Sequence, residues 1–324
     1  MKIAFASCMC TRVFKDQPVW DWIAAQSPDH LVLLGDSVYL DINTGSIHPQ
    51  DMGEDQFAQH AFALYTELLA QPSFRKLVTA MPQGRTWSIW DDHDFLWNDA
   101  IGSQASQSPL QRAKVRLSTA FQETFRNAIA KSLSPGSFPA IYNDGAFWNE
   151  DQPALTTPSV ELAPDVWLHL SDGRTHRTGG FGIPESKKTI LGQAQRAQFD
   201  ARISGSHAKS IHLFASGQTL GEYKQRYPTD WNWFTDVAKK WRMLVLSGDI
   251  HRNESDAFFT RGLPLHEVTS SGAAVRDAVI LGKARRNFGI VEIDDGGVNF
   301  KVFANNKVET KHIRTLSRDT WLPV

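Results

Sequence analysis

The chain has 324 residues, 41% hydrophobic and 21% charged, with a formal net charge of −1. That length buries a sizeable core without disulfides or structural metals, and the balanced charge excludes a global field drawing it to nucleic acid or anionic lipid. Two cysteines, Cys8 and Cys10, are too few for a disulfide framework, and a bridge between positions two apart on a strand would be strained.

The opening Lys2-Ile3-Ala4-Phe5-Ala6 reads as a strand rather than a leader, and no apolar stretch is long enough to span a bilayer. The expectation is a single domain over 1–324 and a cytoplasmic location, with export open only if a leader has been trimmed. Further apolar runs at 31–34, 86–90, 166–170, 211–215, 243–246, 267–269, 289–293 and 300–303 predict strands. Helical patterns lie near 18–25, 57–70, 110–131, 194–203 and 231–241. This alternation argues for an α/β fold. The runs after 255 lack intervening helices, which predicts an antiparallel meander closing a second sheet. Asp294-Asp295-Gly296-Gly297 is a hairpin signal within it. Residues 136–164, rich in Pro, Ser, Thr, Asp and Asn, predict a long surface loop or lid.

Three apolar runs stop at polar groups of one kind. The run 31–34 leads into Gly35-Asp36-Ser37-Val38-Tyr39, the run 86–90 into Asp91-Asp92-His93-Asp94, and the run 243–246 into Ser247-Gly248-Asp249-Ile250-His251. Gly35 lets the backbone turn and approach an ion closely. Adjacent aspartates between Trp87-Ser88-Ile89-Trp90 and Phe95-Leu96-Trp97 predict burial, and buried like charges demand a cation. Asp249 and His251 share a face if the backbone there is extended. Cys8 also follows a strand, where a thiolate is a strong, soft ligand. The bland alternatives are a Gly-Asp turn with a packed tyrosine, a solvated acidic turn, and an inert buried cysteine. Together the strand ends predict one metal site, with Asp91 and Asp94 orienting or capping the turn around Asp92 and His93.

Other chemistries find no support. There is no Gly-x-Ser-x-Gly elbow, Walker loop or dinucleotide fingerprint. His207, His212 and His266 lack ligand spacing and read as structural. Lys283, Arg285 and Arg286 read as a solvated helix end, and the eleven tryptophans as core and rim packing.

In this order, Ser7-Cys8, Gly35-Asp36-x-x-Tyr39, Trp90-Asp91-Asp92-His93-Asp94 with Asn98-Asp99-Ala100, and Ser247-Gly248-Asp249-x-His251 resemble the alkaline phosphatase D family of calcineurin-like metallophosphoesterases. Asp172-Gly173-Arg174-Thr175-His176-Arg177, Leu191-Gly192-x-x-Gln195 and Thr269-Ser270-Ser271-Gly272 add to the resemblance. It departs where Gly173 stands for a common threonine, where Arg196-Ala197-Gln198 lack the usual aromatic residue, and where Cys8-Met9-Cys10 replace the superfamily's Asp-x-His. Cys10 is left unassigned.

The resemblance implies a four-layer α/β/β/α sandwich with a binuclear or multinuclear metal centre. Cys8, Asp36, Tyr39 and His251 would hold iron(III). Asp36 would bridge to a second site completed by Asp92 and Asp249, with calcium the family precedent and zinc, manganese or magnesium the alternatives. The implied activity is hydrolysis of a small-molecule phosphate ester, diester or monoester, by metal-activated water. His93 is the catalytic group, protonating the leaving oxygen or binding the phosphoryl oxygen. Arg174 neutralises phosphate charge, and Asn98 binds phosphate or metal. Neither a specific nucleic-acid partner nor a membrane span is expected. The competing reading is a catalytically silent metal- or phosphate-binding protein on the same scaffold. It predicts the loss of at least one ligand, whereas every motif position here carries a competent group.

Overall fold

A computed structural model describes residues 1–45, 47–131, 138–149 and 155–324. In chain order the strands are β1 (Lys2–Ala6), β2 (His30–Leu34), β3 (Thr86–Ile89), β4 (Ser159–Ala163), β5 (Val166–Leu170), β6 (Ile211–Ser216), β7 (Arg242–Ser247), β8 (Asn253–Phe258), β9 (Leu265–Ser270), β10 (Val275–Ala278), β11 (Leu281–Arg285), β12 (Asn287–Ile293), β13 (Val298–Ala304), β14 (Lys307–Val308) and β15 (Arg314–Leu316). One sheet runs β14-β13-β12-β1-β2-β3, with β15 also on β13, and the other runs β4-β5-β6-β7-β9-β8. Strands β1, β2 and β3 are mutually parallel, as are β5, β6, β7 and β9. The fold is α/β, as expected.

Alternation along the strands explains how the sheets are covered. Ile3, Phe5, Val32 and Leu34 of the first sheet join Leu168, Leu170, Leu213, Ala215, Leu244 and Leu246 of the second in one apolar cluster. The opposite residues of the first sheet, Ala4, Ala6, Leu31 and Leu33, pack with residues of Glu54–Ala70, Pro72–Ala80 and Pro109–Ala130. Phe214, Met243 and Val245 on the second sheet pack with Gly192–Ser204, Leu220–Arg226 and Pro228–Ala238. Each fully buried large apolar side chain contributes about 1.5–3 kcal/mol relative to exposure. Strands covered on both faces read as unbroken apolar runs, which is why these were legible.

Four expectations are corrected. Strands β12 and β13 pair antiparallel across the predicted 294–297 turn, but β12 adds to β1, so they extend the first sheet rather than the second. Part of the predicted 136–164 loop is β4, an edge strand antiparallel to β5. Residues 132–137 and 150–154 lie outside the described residues, and Phe138, Phe147 and Leu155 join the helical core of the first sheet. Cys8 and Cys10 lie past the end of β1, not on it. Lys283 and Arg285 lie in a strand of the β10-β11 hairpin, not at a helix end. No described helix is long and apolar enough to cross a membrane.

Candidate metal centre

The polar groups gather at the carboxyl ends of the parallel strands, where α/β sheets place their ligands. Cys8 follows β1, Asp36 follows β2, and the helical turn Asp92–Phe95 follows β3. From the second sheet, Arg174 follows β5, Gln218 follows β6, Asp249 and His251 follow β7, and Ser271 follows β9. Five residues around these strand ends other than glycine have left-handed backbone: φ is 60° at Cys8, 51° at Asp36, 58° at Asp99, 71° at Asp249 and 52° at His251. Such placements cost of order 1–3 kcal/mol each and gather at functional sites. Asp249 and His251 are therefore not on extended backbone, as the sequence pattern suggested. Gly35, at φ +92°, permits a close approach: a Cβ there would lie 2.7 Å from the Asp91 Cβ.

Two ligand clusters share one residue. Ligand atoms of Cys8, Asp36 and His251 lie within 4.8 Å of one another, and so do those of Asp36, Asp92 and His93. Asp36 Oδ2 is 3.3 Å from Cys8 Sγ and 3.3 Å from Tyr39 Oη. Tyr39 Oη is 3.5 Å from His251 Nε2, so the tyrosine converges on the first cluster. His251 is held by its backbone N–H donating to Ser271 Oγ (3.0 Å) and by its Nδ1 against the Asp277 carbonyl (2.9 Å). Asp249 lies beside the clusters, its backbone carbonyl 3.9 Å from Cys8 Sγ. Its carboxylate completes neither cluster, and His93 converges with Asp36 and Asp92 instead.

The residues fit metal ions on two grounds. Asp36 Oδ1 is buried without a hydrogen-bond partner among the described residues, a vacancy that buried acceptors rarely leave. The electrostatics agree. Burial, and then the Asp36 carboxylate, push both the Cys8 thiol and the Tyr39 phenol well up. Asp36 itself is driven well above the carboxylate range by burial, with His93 opposing and Asp92, Asp91 and Asp94 adding to the rise. Burial and the charges of Asp91 and Asp92 lift Asp249 to about 7. Three potential anions crowd one buried point, and a cation there favours the ionised form of each.

Beneath Asp92, the sequence has built its own counter-ion. Arg174 is buried, with Nε donating to Asp91 Oδ1 at 2.6 Å and a terminal nitrogen 3.5 Å from Asp92 Oδ1. Gln218 Nε2 donates to the other oxygen of Asp91 at 2.8 Å. Gly217 leaves room for this, since a Cβ there would meet the Asp91 carboxylate at 2.7 Å. Burial alone would raise Asp92, but Arg174, His93 and the Asp99 N–H hold it at about 2. Arg174 is thus engaged by two aspartates in a buried setting. Asp94 caps the turn as expected, accepting from the N–H groups of Asp91 (3.0 Å) and Val38 (2.9 Å).

His93 is oriented by a residue that sequence reading missed. Its Nδ1 lies 2.6 Å from Asp41 Oδ1, and its ring lies 4.2 Å from that of Tyr39. Burial disfavours its charge, yet Asp36, the Asp41 hydrogen bond and Asp92 raise it to about 10. Asp41 Oδ2 accepts from the Asn98 N–H at 2.8 Å. Asn98 is exposed, and its side chain donates to Asp99 at 3.3 Å. Ser271 was missed as well: its Oγ is 3.2 Å from Cys8 Sγ. The Thr-Ser-Ser-Gly strand end was its only signal, and Asp41 and Gln218 had none.

Among solved structures, the chain superposes on PhoD, alkaline phosphatase D, with a TM-score of 0.67 over 100% of this chain and 71% of the other, at 14% identity. The chain is similar in fold to PhoD. No protein-family model and no curated protein matches it. At 14% identity the likeness to PhoD concerns the fold, and the assignment of individual residues stands on the geometry above.

Proposed function

We propose that the chain is a metal-dependent hydrolase of phosphate esters, in which Asp36 would serve two metal-ligand sets. The observation that carries this reading is the sharing of Asp36 between two ligand clusters while its Oδ1 lacks any partner among the described residues. The PhoD-like fold supports the same class of chemistry. Cys8, Asp36, Tyr39 and His251 would form one ligand set, and Asp36 and Asp92 the other, with Asp249 beside them and His93 Nε2 left free for the proton. Thiolate, phenolate and carboxylate suit iron(III) in the first, and oxygen donors suit calcium or another hard divalent ion in the second. When bound, such ions neutralise the phosphoryl oxygens and lower the pKa of water.

The remaining work falls to the chain itself. Water forms the new P–O bond as the bond to the alcohol breaks, and the departing oxygen must gain a proton. His93, its Nδ1 engaged by Asp41, offers Nε2 to hold and deliver that proton. Asp41 is a positioning residue, fixing the ring and its protonation. Arg174 and Gln218 fix Asp91 and with it the turn that presents Asp92. Small-molecule phosphate esters are the proposed substrates, with no nucleic acid or membrane partner and a cytoplasmic location. A screen of phosphate mono- and diesters against added divalent ions tests the reading. Turnover that depends on metal and disappears in Asp36→Asn is expected. Metal-independent turnover, or an Asp36→Asn variant as active as the parent, contradicts it.

A further inference from the structure

A cavity of about 180 Å³ adjoins the proposed centre, formed where the chain leaves the Asp92 turn and crosses the start of the Pro109–Ala130 helix. Its apolar lining includes Leu96, Trp97, Ile101 and Ala105, and its polar lining includes Asp99 and Gln111. Asp99 belongs to both places: its N–H donates to Asp92 Oδ2 at 2.6 Å, while the residue, exposed and accepting from Asn98 at 3.3 Å, lines the cavity. At this volume the cavity is smaller than the roughly 300–1,000 Å³ of drug-sized sites, so it suits a compact group and not a nucleoside.

The polar lining specifies the chemistry of that group. Gln111 Oε1 is buried without a partner among the described residues. The amide orientation is fixed, because Gln111 Nε2 donates to the Gln50 carbonyl at 3.2 Å. Exchanging the two ends of the amide would set acceptor against acceptor. The Gln50 carbonyl is itself anchored by Lys114 Nζ at 2.7 Å, and Lys114 also donates to the Pro49 carbonyl at 2.7 Å. The cavity is thus lined by the partnerless Gln111 oxygen and by Asp99, with Trp97, Gln50 and Gln104 beside them. A buried acceptor lacking a donor is destabilising, and a ligand bearing a donor relieves that. A second phosphate or a carboxylate would be repelled by Asp99. An ammonium group supplies the donor that the Gln111 oxygen lacks and balances the charge of Asp99.

We infer, building on the phosphate-ester reading, that this cavity receives the leaving group and that the leaving group is a small alcohol carrying an amine. Aminoethyl phosphate and propyl phosphate have nearly the same shape and differ in that charge. With the metal-loaded protein, kcat/KM for the amino ester should exceed that for the propyl ester about tenfold. The preference should vanish in Asp99→Asn and shrink in Gln111→Leu. Equal kcat/KM values in the parent, or a preference that persists in Asp99→Asn, overturn the inference.

A binding measurement separates this from the activity itself. Free aminoethanol should shift the Gln111 side-chain amide resonance, identified by its absence in Gln111→Leu, whereas propanol should not. A shift without hydrolysis of any ester would sink the hydrolase reading and leave the amine site standing. No shift with either alcohol would remove the amine site whatever the activity.

Discussion

At Arg174 the guanidinium lies between Asp91 and Asp92 in a fully buried setting. Removing one partner of a buried ion pair strands the other's charge and costs about 3–5 kcal/mol. Arg174→Ala should therefore lower unfolding stability by about that much in denaturant titrations. A raised KM with stability nearly unchanged would instead favour the expectation that Arg174 binds phosphate. Asp41 makes a different case. Its hydrogen bond to His93 is an outer contact of the site, and loss of such contacts costs about 10–100-fold. Asp41→Asn should reduce kcat by that factor, with KM and metal content retained and the pH profile shifted. An unchanged pH profile would show that Asp41 does not govern His93. Cys8, Asp36, Asp92 and His251 were legible because each follows an apolar run. Asp41, Gln218 and Ser271 were not, because their partners lie far away in sequence and nothing local marks them.

The paired strands β5 and β6 carry a buried imidazole pair that the metal chemistry does not use. His169 Nε2 lies 3.0 Å from His212 Nδ1, and the outer nitrogens meet Ser159 Oγ at 2.8 Å and Ser206 Oγ at 3.3 Å. Burial, with His212 adding for His169, lowers His169 to about 3 and His212 to about 4, from 6.5. Below pH 6.5 the unfolded chain takes up protons at both positions while the folded chain does not until about pH 4. Their contribution to stability is therefore complete above pH 6.5 and is lost as the pH falls toward 4, at up to about 2.7 kcal/mol per pH unit for two protons. Thermal melts from pH 7 to pH 4.5 should show that slope roughly halved in His169→Gln, and an unaltered slope would refute the linkage. The same strands illustrate what sequence reveals at this scale. Parallel strands covered on both faces show as apolar runs, whereas edge strands such as β8, Asn-Glu-Ser-Asp-Ala-Phe, carry a polar pattern and were missed. The helix Pro72–Ala80 was missed because it follows Glu54–Ala70 almost directly. The Gln71 side chain separates them by accepting from the Phe74 N–H at 2.6 Å.

For the molecule as a whole, two sheets with one shared apolar cluster bring the ends of β1, β2 and β3 against those of β5, β6, β7 and β9. Neither sheet alone holds the site: the first contributes Cys8, Asp36, Asp92 and His93, and the second contributes His251, Ser271 and the Arg174 counter-ion. The meander misassigned to the second sheet has a structural consequence here, since β12 pairs with β1 and braces the strand that leads to Cys8. Which sheet it joined was invisible in sequence, because an antiparallel hairpin has the same pattern on either sheet. Ions held between the sheets would bind the folded chain and not the unfolded one, so chelation should lower the melting temperature. The central claim is that Asp36 joins two metal ions, and metal analysis of the purified protein beside its Asp36→Asn variant tests it most directly. The parent should carry at least two metal ions per chain, and the folded variant should lose both with its phosphate-ester hydrolysis. A folded parent free of metal, or a variant with the parent's metal content, would contradict it.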